Sequence, residues 1–160
     1  MPSYDATDQA ILARLQTDGR IPNIELAEAV NLSPSACLRR LRALEQDGVI
    51  AGYRAELDRE RLGLQMTIFV QLRVDRHAHE TSTRVEEALN AIPAVVASYL
   101  ISGEADLLVE VAAPSLAAYE RILLDQLLTI PYVVDARSTF AIRTFKSRGP
   151  LPLNGLDRSG

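Results

Sequence analysis

Apolar residues recur at helical spacing over the first fifty positions and at strand spacing in several later stretches. Asp5 stands where a helix N-cap belongs, Asp8 follows in the first turn, and Ile11, Leu12 and Leu15 share one face. Gly19 supplies a C-terminal stop. A second, short helix is predicted over residues 24–30, capped by Asn23, with Leu26, Ala27 and Val30 inward. Asn31-Leu32 makes a tight turn. Ser33 and Pro34 then open a third helix, because Ser is a strong N-cap and Pro fits the first helical position. Its apolar stripe is Leu38, Leu41 and Leu44, with Cys37 at the edge, and Gly48 ends it. Val49, Ile50, Gly52 and Tyr53 have the spacing of a short β-hairpin, or wing.

Residues 55–65 are charged and weakly patterned, and are expected to be a connector. From Met66 to Asp75 the pattern alternates, with Ile68, Val70, Leu72 and Val74 on one side and Thr67, Phe69, Gln71 and Arg73 on the other. A helix follows, capped by Thr83 with Glu86 completing a capping box, and its stripe is Val85, Ala88, Leu89 and Ile92. A strand runs to Ser102, Gly103-Glu104-Ala105-Asp106 turns, and a strand covers residues 107–112. Ser115 caps the next helix, with Leu116, Tyr119, Leu123 and Leu127 inward, and a last strand extends to Phe145. The second half repeats itself: each copy reads strand, helix, Ile-Pro-x-Val-Val, strand, at Ile92 and again at Ile130. Pro stops each helix and the paired valines begin each returning strand. Two such halves joined by a hairpin give a ferredoxin-like βαββαβ unit, an α+β fold with helices on one sheet face. Its other face shows Phe69 and Leu108, which predicts a homodimer made by sheet packing.

Composition narrows this picture. A chain of 160 residues holds one or two small domains, and 48% hydrophobic residues are enough for packed cores. With no Trp and 5% aromatics, those cores are aliphatic. A net charge of −4 disfavours a surface basic all over but leaves room for one local basic face. One cysteine excludes a disulfide framework or a cysteine-based zinc site. No apolar run reaches the ~20 residues of a membrane span, and residues 1–5 show no signal-peptide pattern, so a cytoplasmic protein is expected.

The chemistry concentrates at two places. Two short helices separated by a tight turn form a helix-turn-helix, whose second helix enters the DNA major groove by its N-terminal residues. Here that helix carries Ser33, Ser35, Arg39, Arg40 and Arg42, with Arg20 and Arg54 flanking the unit. Arg is the side chain best shaped for phosphates and guanine edges. The same arginines also suit a solvated face with ion pairs to groups such as Glu45, or a protein-binding trihelical module. The second place is the turn at residues 103–106. Glu104 and Asp106 there suit turn geometry or ligand recognition rather than paired acid–base chemistry. His77 and His79 lack an evident third ligand and read as solvated loop residues. Cys37 reads as a packing residue. No nucleophile–base pair, phosphate loop or metal cluster appears, so no enzyme, metal or cofactor is expected.

Taken together, residues 4–147 resemble the leucine-responsive regulatory protein/AsnC (Lrp/AsnC) family of prokaryotic transcription regulators. The resemblance rests on residues 5–12, on Asp18-Gly19-Arg20, and above all on the run from Leu32 to Glu45 followed by Gly48-Val49-Ile50-Ala51-Gly52-Tyr53. Ser102-Gly103-Glu104-Ala105-Asp106 looks like the family's Gly-x-x-Asp sensor turn, and Leu151-Pro152-Leu153 like the ending of some members. The resemblance implies a winged helix-turn-helix over residues 1–54, a linker at 55–65, an effector and assembly domain at 66–147, and a tail at 148–160. It implies double-stranded DNA as partner, and dimers assembling to tetramers or octamers. It also implies an amino acid or related metabolite bound between subunits near Tyr99, Leu100, Gly103, Glu104, Asp106 and Ser138. In such a site Asp106 or Glu104 would support the ligand's ammonium, directly or through the loop, unless Asp106 only caps the turn.

Two rival readings share this plan. Sirohaem decarboxylases look alike in outline, and that reading would need His77 or His79 near a basic pocket, supported only by Arg73 and Arg76. A ligand-binding module that has lost DNA binding is the other, and would fail to bind its own upstream region at low salt.

Overall fold

The computed structural model describes residues 4–75 and 81–153, which divide between two units, 4–56 with 146–153 and 57–75 with 81–145. The expectations for Arg76, His77 and His79 lie outside the described residues.

In the first unit, α1 (Ala6–Thr17), α2 (Asn23–Ala29) and α3 (Pro34–Gln46) close around Ile11, Leu12, Leu26, Ala27, Cys37 and Leu44. The inward stripe of α3 is Cys37, Leu41 and Leu44, not the expected Leu38, Leu41 and Leu44. Cys37 is fully buried, while Leu38 is half-buried and outside the cluster. Spacing of four and then three residues tracks one helix face better than three and three. Asn23 does not cap α2. It is already helical behind Pro22, and its Nδ2 donates to the Pro34 carbonyl at 2.9 Å, tying α2 to the start of α3. The N-cap of α1 holds as expected: Asp5 accepts from the N–H groups of Thr7 and Asp8, and Asp8 accepts from the Asp5 N–H. After α3, Val49 and Ile50 pack on the core, but residues 51–57 form no paired strand. The expected hairpin lacks a returning strand among the described residues.

The tail joins this unit. Leu153 packs against its core, and Gln16 on α1 hydrogen-bonds both backbone groups of Leu151. Of the expected connector, residues 57–65 belong to the second unit. Arg59 there bonds Thr67 and pairs with Glu110 at 2.8 Å.

The second unit runs β1 (Met66–Val74), α4 (Thr81–Asn90), β2 (Val95–Leu100), β3 (Leu107–Ala113), α5 (Leu116–Ile122), a π-helical turn (Leu123–Leu127) and β4 (Val133–Phe140). Its antiparallel sheet has the order β2-β3-β1-β4, the ferredoxin-like arrangement. One face carries Ile68, Val70, Leu72, Val109 and Val111 against Val85 and Leu89 of α4 and Tyr119 and Ile122 of α5. The two Ile-Pro-x-Val-Val copies fold alike. Ile92 and Ile130 are buried, and each accepts at its carbonyl from the N–H of the first valine, Val95 or Val133, at 3.0 and 3.2 Å.

Four details differ from expectation. The chain is already helical at Thr81, so Thr83 lies inside α4 rather than capping it. Ser115 does cap α5, accepting from Ala118 N–H, but Leu116 is exposed and Ile122 takes a core place. The π turn, with Leu128 N–H bonded to the Leu123 carbonyl, inserts a residue that a 3.6-residue period does not anticipate. The last strand ends at Phe140, and Ile142 and Phe145 beyond it are exposed.

Candidate functional site

The first site is the outer face of α3. At about 100° per residue, Ser35, Arg39 and Arg42 fall within about 60° of one another, opposite the Cys37–Leu44 stripe. All three are exposed, and neither Arg39 nor Arg42 has an acidic partner among the described residues. Ser33 sits at the N-cap, accepting from Ala36 N–H and lying 3.3 Å from the Ser35 hydroxyl. Two guanidiniums therefore share one face of the helix, whose positive dipole end lies at Ser33 and Ser35, an arrangement suited to phosphate and base edges. Arg20 and Arg54 are exposed and without an acidic partner among the described residues. The backbone N–H of Arg20 is held by Asp18 at 2.9 Å.

Arg40 does something else. It lies on the inner flank of α3, and its Nη1 reaches Asp5 at 2.9 Å and Asp8 at 2.8 Å. The guanidinium thus clamps α3 onto the N-cap of α1. Asp5 titrates below its ordinary range, first because its carboxylate accepts the Asp8 backbone N–H, then because Arg40 donates to it, with partial desolvation opposing. Tyr53 braces the far end of the unit. Its ring lies against Gly19 and its hydroxyl donates to Glu45 at 2.9 Å. Desolvation and then that acceptor push Tyr53 up to about 12.

The second site is the turn between β2 and β3. Gly103 holds φ at 130°, a conformation other residues rarely adopt. Asp106 is buried, and its carboxylate accepts the Val74 N–H at 2.9 Å. Its backbone bonds Leu72 and Ile101, so the residue stitches the turn to the end of β1. Asp106 is thus engaged by the protein itself. Glu104 is its opposite: 95% of its side chain is exposed, and it lies 3.9 Å from Arg137 on β4.

Beside the turn an open cleft of about 280 Å³ is lined by Gln71, Arg73, Glu104, Ala105, Asp135 and Arg137. Gln71 pairs with Arg137 and Arg73 with Asp135 across β1 and β4, so all four stand on the sheet face without helices. Tyr99 shares that face opposite Leu108, while Leu100, the next residue along, points to the other side. The structure does not bring Ser138 to the turn. It pairs with Val70 on the helix-covered face and hydrogen-bonds the Tyr119 hydroxyl, beside the edge-on Tyr119–Phe140 contact. Sequence reading missed Gln71, Asp135 and Arg137 as neighbours of the turn. Alternation showed which side Gln71 faces, but only the β1–β4 register shows that the three converge. Among the described residues no three His, Cys, Asp or Glu gather as a metal site, and no helix is long and apolar enough to cross a membrane.

The exposed arginine face of α3 on one unit and the cleft beside the 103–106 turn on the other suit a DNA-binding regulator with a ligand-binding domain. The chain belongs to the Lrp/AsnC family: the winged helix-turn-helix DNA-binding family matches residues 4–51, and the Lrp/AsnC ligand binding domain matches residues 67–151. It is similar to the leucine-responsive regulatory protein of Klebsiella pneumoniae, 35% identical over 92% of this chain and 90% of that one. Among solved structures it resembles a Neisseria meningitidis transcriptional regulator in complex with L-Met, 37% identical with a TM-score of 0.91 over 95% of this chain and 98% of that one. It also resembles an AsnC family regulator from Agrobacterium tumefaciens, 36% identical with a TM-score of 0.88 over 93% and 97% of the two chains. The chain is accordingly a DNA-binding transcriptional regulator with an amino-acid-binding type of domain, and the regulator reading is favoured over the two rivals.

Proposed function

We propose that Ser35, Arg39 and Arg42 read DNA from the exposed face of α3, with Arg20 and Arg54 on flanking phosphates, and that a free amino acid bound beside the 103–106 turn adjusts this binding. The observation that carries the DNA half is the pair of unpartnered arginines opposite the buried Cys37–Leu44 stripe. Arg40, committed to Asp5 and Asp8, keeps α3 in place instead of touching DNA.

For the effector, the cleft offers two guanidiniums, Arg73 and Arg137, and two carboxylates, Glu104 and Asp135. A zwitterion carries the complementary pair: its carboxylate suits the arginines and its ammonium the acids. Asp106 acts through the loop, holding the turn against β1. The cleft opens on the helix-free sheet face, where Phe69 and Leu108 are only partly covered. That face pairs with a second copy in a homodimer, placing the ligand between subunits, and dimers assemble further into tetramers or octamers. The Neisseria relative, which holds L-Met, supports the amino-acid class. The protein works in the cytoplasm by binding rather than catalysis, as its regulator relatives support.

The test has two arms. Duplexes selected from random DNA by the wild-type protein should bind Arg39→Ala and Arg42→Ala more weakly, with a shallower salt dependence; unchanged affinity across a salt series refutes the DNA face. Thermal shift with L-methionine and L-leucine should stabilise wild type and not Arg137→Ala; an equal shift in both removes the cleft from the site.

A further inference from the structure

The C-terminal tail closes a second connection between the two units. After β4 the chain continues through residues 141–145, turns at Arg148, which holds a left-handed φ of 47°, and docks on α1. The docking is specific in its chemistry. Gln16 Nε2 donates to the Leu151 carbonyl at 3.2 Å, and Leu151 N–H donates to Gln16 Oε1 at 2.5 Å. One side-chain amide thus satisfies both backbone groups of one residue, as a neighbouring strand would. Two residues on, Leu153 packs with the core built on Ile11 and Leu12. Pro150 and Pro152 flank Leu151 and fix their own φ, so less chain entropy is lost on docking than for an ordinary tail.

We infer that residues 150–153 are a strap that docks on the Gln16 face of α1 and couples the orientation of the recognition helix to strand β4. With the tail docked, the chain passes between the units at two places, 56–57 and 145–146, instead of one. A unit held by a single flexible linker samples many orientations, and a second attachment removes most of that freedom. The strap is continuous with β4, the strand that carries Asp135 and Arg137 into the cleft and faces Glu104 of the turn. A shift of β4 at the cleft would change the pull of residues 141–149 on α1, which the Arg40 clamp joins to α3.

The test compares two duplexes, a palindromic site selected by the wild type and its isolated half-site. It rests on the homodimer proposed above, which presents one recognition helix per copy. A dimer whose two helices are pre-oriented gains on the full site by avidity, and freeing them costs that gain alone. Gln16→Ala is expected to weaken full-site binding by about tenfold and to leave half-site affinity unchanged. Leu153→Met, which keeps the apolar contact, should match wild type on both. Equal loss on both duplexes, or no loss on either, overturns the strap. Hydrogen exchange reads the docking without DNA: the Leu151 amide should exchange about fivefold faster in Gln16→Ala, and an unchanged rate overturns it. If the wild type binds full and half sites equally, the paired-helix reading fails on its own account, and the exchange rate alone judges the docking.

Discussion

The helical unit gathers its core from six buried residues on three short helices, among them Ala27 and Cys37, whereas the sheet unit buries a continuous cluster of thirteen, most of them aliphatic. The smaller core is supplemented by polar devices at its edges: the Asp5–Asp8 capping box, the Arg40 clamp, the Tyr53 brace and the apolar contact of Leu153 from the tail. The sheet unit needs fewer, because two helices cover one whole sheet face. A domain of roughly 60 residues rarely gains more than about 5 kcal/mol from a single core. The DNA-binding unit is therefore the part of the molecule that one substitution can unfold, and the effector unit the part that tolerates one.

The sharpest way to break that contrast is a matched pair of core truncations. Leu26→Ala and Leu72→Ala each remove a fully buried leucine and should each cost about 3 kcal/mol. Leu26→Ala should unfold the helical unit and abolish DNA binding at 25 °C while the sheet unit keeps its slow-exchanging amides. Leu72→Ala should leave both units folded. Loss of both units together in either variant would show that they share one cooperative fold.

Next in size is Asp106→Ala, which strips the half-buried Val74 N–H of its acceptor and should destabilise the sheet unit by about 2 kcal/mol. Chemical denaturation would measure it, and a change below about 0.5 kcal/mol would mean that the turn is held by other contacts. Smaller again in stability, though not in function, are Arg39→Ala and Arg42→Ala. Each should leave the melting temperature of the helical unit unchanged while lowering DNA affinity about tenfold and the salt slope by about one. A melting shift without a binding defect would move these residues from interface to framework.

The smallest effect is one of pH. The folded pKa of Asp5 lies below the ordinary aspartate value, so its contribution is complete above that value and is lost as pH falls through the lower, folded pKa. Asp5→Asn keeps a capping oxygen but cannot titrate. Acid titration of helical circular dichroism should therefore fall more steeply in wild type than in Asp5→Asn below about pH 4. Parallel curves would assign the acid sensitivity of this unit to other carboxylates.

How far the sequence reveals these arrangements depends on the distance over which each is specified. Caps at Asp5, Ser33 and Ser115 are local, and each forms where its residue type and the following helix require. The Ile-Pro-x-Val-Val duplication is local too, and both copies close the same turn. Contacts set by tertiary pairing were not legible. Arg40 looks like its neighbours Arg39 and Arg42 in sequence, and only the approach of α1 separates it from them. Ser138 and Arg137 differ by one position, yet strand alternation sends one to Tyr119 and the other to the cleft. The described residues 51–57 pair with no strand of this chain, so the wing's spacing did not fix its partner, and the π turn was not legible because a one-residue insertion leaves no mark in a run of leucines.

Cys37 gives this difference an experimental clock. It is the only thiol in the chain and is completely enclosed by the helical core, where desolvation raises its pKa and holds it in the unreactive thiol form. Alkylation can then proceed only when that core opens, so the rate of modification counts openings of the DNA-binding unit and is blind to the sheet unit. Slower labelling on adding DNA, or an amino acid, would report in one number how far a partner bound elsewhere quiets the recognition helix.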